Sequence, residues 1–174
     1  MNGHRDLYIR AMLVSPSHAV NSTICDILSA ASISIDQETS ATRAAAKAVE
    51  QRIPVVLMTP DTDWQGFITL VSKDPGRPST ILLLPTFNAS LWATALQAGV
   101  FEALPLQSDR DRLIATVVAA FRRWERLQLV RAALDQNPLA HSGAESDSSI
   151  DASALREAPA STPIHPGFGW TQSE

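Results

Sequence analysis

The chain has 174 residues, 45% of them apolar and 18% charged, with a net charge of −4 and a single cysteine, Cys25. This is enough apolar material for one core of ordinary size, and one thiol excludes an internal disulfide or a multi-thiolate zinc site. The acidity argues against nucleic-acid binding by bulk positive charge, no apolar run approaches the ~18 residues of a membrane span, and the N-terminus lacks a signal-peptide pattern, so a cytoplasmic protein is expected.

Arg10–Ser15 (RAMLVS) is a short apolar run stopped by Ser15-Pro16-Ser17, which predicts a strand and a turn. Val20, Ile24, Ile27, Leu28 and Ala31 then share one helical face. Ile33 and Ile35 alternate with polar residues as a second strand, and alanine-rich Thr42–Gln51 is helical. Pro54–Thr59 (PVVLMT) is a fully apolar strand, after which Asp61 or Asp63 can cap a helix that buries Phe67, Leu70 and Val71. Lys73–Pro78 is a turn, and Thr80–Leu84 (TILLL) is another apolar strand, stopped by Pro85. Asn88 or Ser90 caps a helix that runs through Ala98 and ends at Gly99. Val100–Leu106 is the fifth strand, and Ser108 opens a long final helix.

Five strand–helix units predict an α/β fold, a doubly wound five-stranded parallel sheet with an extended C-terminal helix. Ligands in such sheets bind beyond the carboxyl ends of the strands. The residues to question are therefore Ser15-Pro16-Ser17, Thr59–Asp63, Pro85-Thr86-Phe87 and Leu104–Gln107. They contain no Gly-rich phosphate loop, no Ser/His/Asp set and no acidic cluster, so no enzyme and no cofactor are expected.

Over residues 8–125 the order and spacing resemble the receiver (CheY-like) domain of bacterial response regulators, which belongs to the flavodoxin-like folds. The resemblance rests on three stretches: RAMLVSPSHAVNSTICDIL, PVVLMTPDTDWQGF, and STILLLPTFNASLWATALQAGVFEALPLQSDRDRL with its Ala98-Gly99 step into the fifth strand. It implies an acidic pair for Mg²⁺ at Ser15 and Pro16, and a phosphoacceptor aspartate at Thr59, or at Met58 with the loop slid by one. It also implies a hydroxyl switch residue at Pro85, beside Thr86, an aromatic switch at Ala103 and a lysine at Leu106. None of the required residue types stands at those positions, and the only lysines are Lys47 and Lys73. Mg²⁺ wants oxygen ligands, and a threonine hydroxyl is a poor nucleophile without an adjacent base. The resemblance thus implies a pseudo-receiver without a metal site.

Asp61 and Asp63 read more simply as a helix cap and a first-turn acid than as a relocated acceptor, although an active receiver phosphorylated on either stays an alternative. His18 reads as a solvated residue at a helix start, and Cys25 as a buried spacer. The last helix runs without a breaker to Asn137-Pro138, so residues 126–137 form a helical extension about 20 Å long. Val117, Ala120, Trp124, Leu127, Arg131 and Leu134 approximate a seam that wants a partner helix, which predicts a homodimer or a docking helix in preference to a helix folded back on its own domain. Trp92 and Phe101 join Val117, Trp124, Leu127 and Leu134 in the expected interaction face. Residues 138–174 hold five acids against Arg156 and are rich in Ser, Ala and Pro, which reads as a disordered tail. A two-component or phosphorelay signalling protein acting through protein partners is the expectation. An RNA-binding antitermination regulator is the alternative, suggested by Arg110, Arg112, Arg122, Arg123, Arg126 and Arg131.

Overall fold

The structure is a computed structural model that describes residues 8–136; the tail expected over 138–174 lies outside the described residues. Five strands alternate with five helices: β1 (Ile9–Val14), α1 (His18–Ser29), β2 (Ile33–Glu38), α2 (Ala41–Glu50), β3 (Val55–Met58), α3 (Trp64–Val71), β4 (Ser79–Leu84), α4 (Ala89–Gln97), β5 (Glu102–Pro105) and α5 (Arg110–Asp135). The strands pair in parallel in the order β2-β1-β3-β4-β5. This is the doubly wound α/β sheet, with its extended last helix, that the sequence predicts.

The apolar runs take the centre of the sheet because both of its faces are covered. Alternation along each strand then divides the core into two layers. Met12, Val14, Val56, Met58, Leu82 and Leu84 meet Ala44, Phe67 and Ala95 on the side of α2, α3 and α4. Ala11, Leu13, Val55, Leu57, Ile81 and Leu83 meet Ile24, Leu28, Leu113 and Val117 on the side of α1 and α5. Four helices begin at a side-chain cap: Ser17, Ser40, Asp63 and Asn88 accept the backbone amides of Val20, Arg43, Gly66 and Leu91. Gly99, at φ +98°, ends α4 as expected, in a conformation that suits glycine.

Two local expectations are corrected. Leu70 is 54% exposed, because α3 spends its inward positions on Trp64, Phe67 and Val71. At the start of α5 the cap position falls on Asp109, not Ser108, and its side chain makes no capping bond.

Candidate functional site: the carboxyl edge of the sheet

The ends of β1 and β3 lie side by side. Val14 pairs with Met58, and the Thr59 amide donates to the Val14 carbonyl at 3.2 Å. Ser15 and Thr59, the next residues along, are both buried, whereas Pro16 is exposed. The Ser15 hydroxyl accepts the Ser17 amide at 3.1 Å, and its carbonyl accepts Asn21 Nδ2 at 3.3 Å. These contacts hold the β1–α1 turn without a charged group. Thr59 Oγ1 is buried and has no hydrogen-bond partner among the described residues. The Thr59 carbonyl accepts both the amide and the hydroxyl of Thr62, at 3.1 and 2.6 Å, which closes a tight turn before α3.

The carboxylates of that turn point to other work. Asp61 is exposed. Asp63 Oδ1 accepts the Gly66 amide at 2.9 Å and so caps α3. Pro85, Thr86 and Phe87 are exposed beyond β4, while the Leu106 amide donates to the Leu84 carbonyl at 2.7 Å beyond β5. Ala103 is buried in the core, so a methyl group stands where the resemblance implies an aromatic switch. Lys47 on α2 approaches Asp36 at 3.9 Å, and Lys73 lies exposed in the turn before β4. The edge therefore presents hydroxyls and backbone groups at its strand ends. Among the described residues, no three His, Cys, Asp or Glu side chains come close enough to hold a metal ion, and no helix is long and apolar enough to cross a membrane.

His18 is exposed at the first position of α1. Cys25 is half-buried, with its sulfur 3.3 Å from Gln37 Nε2. Burial pushes its thiol up from the ordinary value, and the neighbouring Asp26 carboxylate adds to the shift. The thiolate is disfavoured here, which suits a spacer and not a nucleophile.

The expected interaction face divides. Trp92 is partly exposed on α4 and donates to Glu102 Oε1 at 3.3 Å; next to Glu102, Phe101 lies under the Arg123 guanidinium, 5.4 Å from its ring centroid. Val117 is a correction: it is fully buried against the sheet, as is Ala120, and neither can meet a partner. Trp124 also turns inward. It stacks on Phe121 with ring centroids 6.4 Å apart and donates from Nε1 to the Gly76 carbonyl at 3.0 Å, so it ties α5 to the turn before β4. Leu127 and Leu134 are exposed, and with them Val130, which the predicted seam omits. The 3-and-4 spacing of Leu127, Val130 and Leu134 is present in LQLVRAAL, and this spacing, not the predicted seam through Trp124 and Arg131, marks the exposed stripe.

No protein-family model matches the chain, and no curated protein matches it. Solved structures do. The signal receiver domain of a Vibrio parahaemolyticus protein assigned as a LuxO repressor is 17% identical with a TM-score of 0.63, covering 71% of this chain and 98% of that one. The beryllofluoride-activated NtrC4 receiver domain dimer is 22% identical with a TM-score of 0.58, covering 66% and 98%. The CheY-like response regulator receiver domain protein from Methanospirillum hungatei JF-1 is 15% identical with a TM-score of 0.59, covering 68% and 98%. Together with the strand order and the long final helix, these likenesses establish the receiver fold for this chain.

Proposed function

We propose that the chain is a signalling module on the receiver fold that has lost the phosphoacceptor and Mg²⁺-binding residues and acts by protein–protein interaction. The observation that carries this reading is the pair of strand ends at β1 and β3. Ser15, Pro16 and Thr59 stand there, none of them ionisable, and the Thr59 hydroxyl is buried with no base in hydrogen-bond reach. Mg²⁺ is held by carboxylate and other oxygen ligands, and an unassisted hydroxyl is weakly nucleophilic. Without those groups the module needs no cofactor and catalyses no reaction.

The output of such a module is contact. Leu127, Val130 and Leu134 are exposed on one side of α5, and each large apolar side chain left in water forgoes about 1.5–3 kcal/mol of burial. Pairing of this stripe with the same stripe of a second copy would bury it, and this is the homodimer proposed here. The test is addition of beryllofluoride and Mg²⁺ while following amide NMR signals from Thr59 to Asp63 and the fluorescence of buried Trp64. No change is expected. A response that disappears in Asp61→Asn or Asp63→Asn would make the chain an active receiver instead.

A further inference from the structure

At the other edge of the sheet, near the starts of β3 and β4, a partly enclosed cavity of about 300 Å³ lies between the end of α2, the turn before β4 and α5. Glu50 and Arg52 line it from the end of α2, Asp74 and Gly76 from the turn, and Gln128 and Arg131 from α5. Both signs of charge meet there almost unpaired. Among the described residues Glu50, Arg52 and Asp74 form no ion pair, and Arg131 approaches only the exposed Asp135, at 3.9 Å. Three features set this cavity apart. Gln128 Nε2 is buried without a hydrogen-bond partner, a costly state for a donor. Gly76 leaves a gap where polar groups converge: a Cβ placed on it would stand 3.3 Å from Asp74 Oδ1 and 3.6 Å from both Arg131 Nη1 and Gln128 Oε1. Arg52 has φ +50°, one residue past the C-cap of α2, where glycine is usual. A side chain is strained in that conformation, and strain of this kind is retained where a site uses it.

We infer that this cavity binds a free α-amino acid in its zwitterionic form. Arg52 and Arg131 take the carboxylate, because guanidinium groups bind carboxylates through paired, charge-assisted hydrogen bonds. Gln128 Nε2 gives that carboxylate a further donor. Asp74 and Glu50 take the ammonium group. An inorganic anion would suit the arginines but meet two carboxylates, and a simple cation would meet two guanidinium groups. A zwitterion satisfies both signs at once. The volume stands at the lower end of ordinary ligand pockets, about 300–1,000 Å³, which suits a molecule of this size. None of these residues belongs to the carboxyl edge, so the site stands whether or not receiver chemistry has been lost there.

The experiment titrates the full chain with the common free amino acids, one at a time, and follows its amide NMR signals. At least one should shift the signals of Arg52, Gly76 and Gln128 and saturate with a Kd below about 1 mM. Its N-acetyl derivative lacks the ammonium group and its amide lacks the carboxylate. Each should bind at least about tenfold more weakly, or ~1.4 kcal/mol. Arg52→Gly removes the guanidinium and relieves the strained backbone together, so binding should weaken by a similar factor while the melting temperature stays level or rises. Gly76→Leu keeps every charge and fills the gap, so it should abolish binding, with circular dichroism as the folding control. If no amino acid shifts these three signals, the inference is overturned. Wild-type affinity in Arg52→Gly overturns it too. So does equal binding of the N-acetyl derivative or of inorganic phosphate, since the cavity would then select an anion alone.

Discussion

The Asp63 carboxylate accepts the Gly66 amide at 2.9 Å, and a Cβ added at Gly66 would collide with that carboxylate. Cap and glycine are therefore one device. Asp63→Ala should cost about 1 kcal/mol, the usual loss for an N-cap. Gly66→Ala gains about 1 kcal/mol of helix propensity but displaces the cap, so its net effect in the native chain should be near zero or destabilising. In the Asp63→Ala background the collision is gone, and the same substitution should stabilise. A double-mutant cycle followed by urea denaturation reads this coupling directly; simple additivity of the two changes would show that Asp63 does not cap α3. Cys25 gives a second residue-level test. Its folded pKa is raised by burial and by Asp26, so the folded state holds the thiol proton more tightly than the unfolded chain. The stability this contributes is present below the unfolded thiol's pKa and is lost as alkaline pH rises through the folded value. At any pH below that titration, iodoacetamide should react more slowly with the folded protein than with the urea-unfolded chain, and equal rates would contradict the environment described for this thiol.

The last helix shows two faces with different duties. Leu113, Val117, Ala120 and Phe121 belong to the core, and Trp124 extends that face to the Gly76 turn. Leu127, Val130 and Leu134 point elsewhere and remain exposed. Leu127→Glu with Leu134→Glu should abolish self-association in sedimentation velocity while leaving the melting temperature of the body unchanged. Trp124→Ala should do the reverse: it removes stacking, apolar burial and a hydrogen bond, and should cost about 2–4 kcal/mol without changing association. If the double Glu variant instead melts early, the outer stripe is packed on its own domain. The strands of this fold were legible because VVLM and TILLL are continuous apolar runs, and two helix starts because Asp63 and Asn88 stand among their candidate caps, whereas the caps at Ser17 and Ser40 emerged from the structure. The face of α5 was not legible. Its apolar residues satisfy two overlapping stripes, and contacts with the sheet and with the turn that carries Gly76 decide which one faces inward. Leu70 misled for a similar reason: Trp64, Phe67, Ile68, Leu70 and Val71 are more apolar positions than one face of an eight-residue helix can bury. At the carboxyl edge, the positions of Ser15 and Thr59 were readable from strand ends, but the unpartnered Thr59 hydroxyl and the choice of Asp63 over Asp61 as the cap needed three-dimensional contacts.

At the scale of the whole molecule, the sheet brings the strand ends to one edge through register alone. Val14 pairs with Met58 and Leu84 with Pro105, so the residues that follow β1, β3, β4 and β5 gather there whatever their side chains are. A receiver-type metal site would therefore be a matter of residue identity on an intact frame, and the frame can be asked to accept it. Ser15→Asp, Pro16→Asp and Thr59→Asp together would place three carboxylates around the ends of β1 and β3. Without metal they should destabilise the fold, because like charges meet there and the Ser15 and Thr59 positions are buried. Mg²⁺ offers the hard, oxygen-seeking charge that would relieve the repulsion. At 100 times its dissociation constant it should restore about 2.7 kcal/mol, visible as a rise of several degrees in melting temperature, while Ca²⁺-free wild type in the same Mg²⁺ series should show no rise. A folded triple variant indifferent to Mg²⁺ would mean that this edge does not have receiver geometry at side-chain level. A wild type stabilised by Mg²⁺ would mean that the chain already binds the ion, and the proposed loss of its metal site would be wrong.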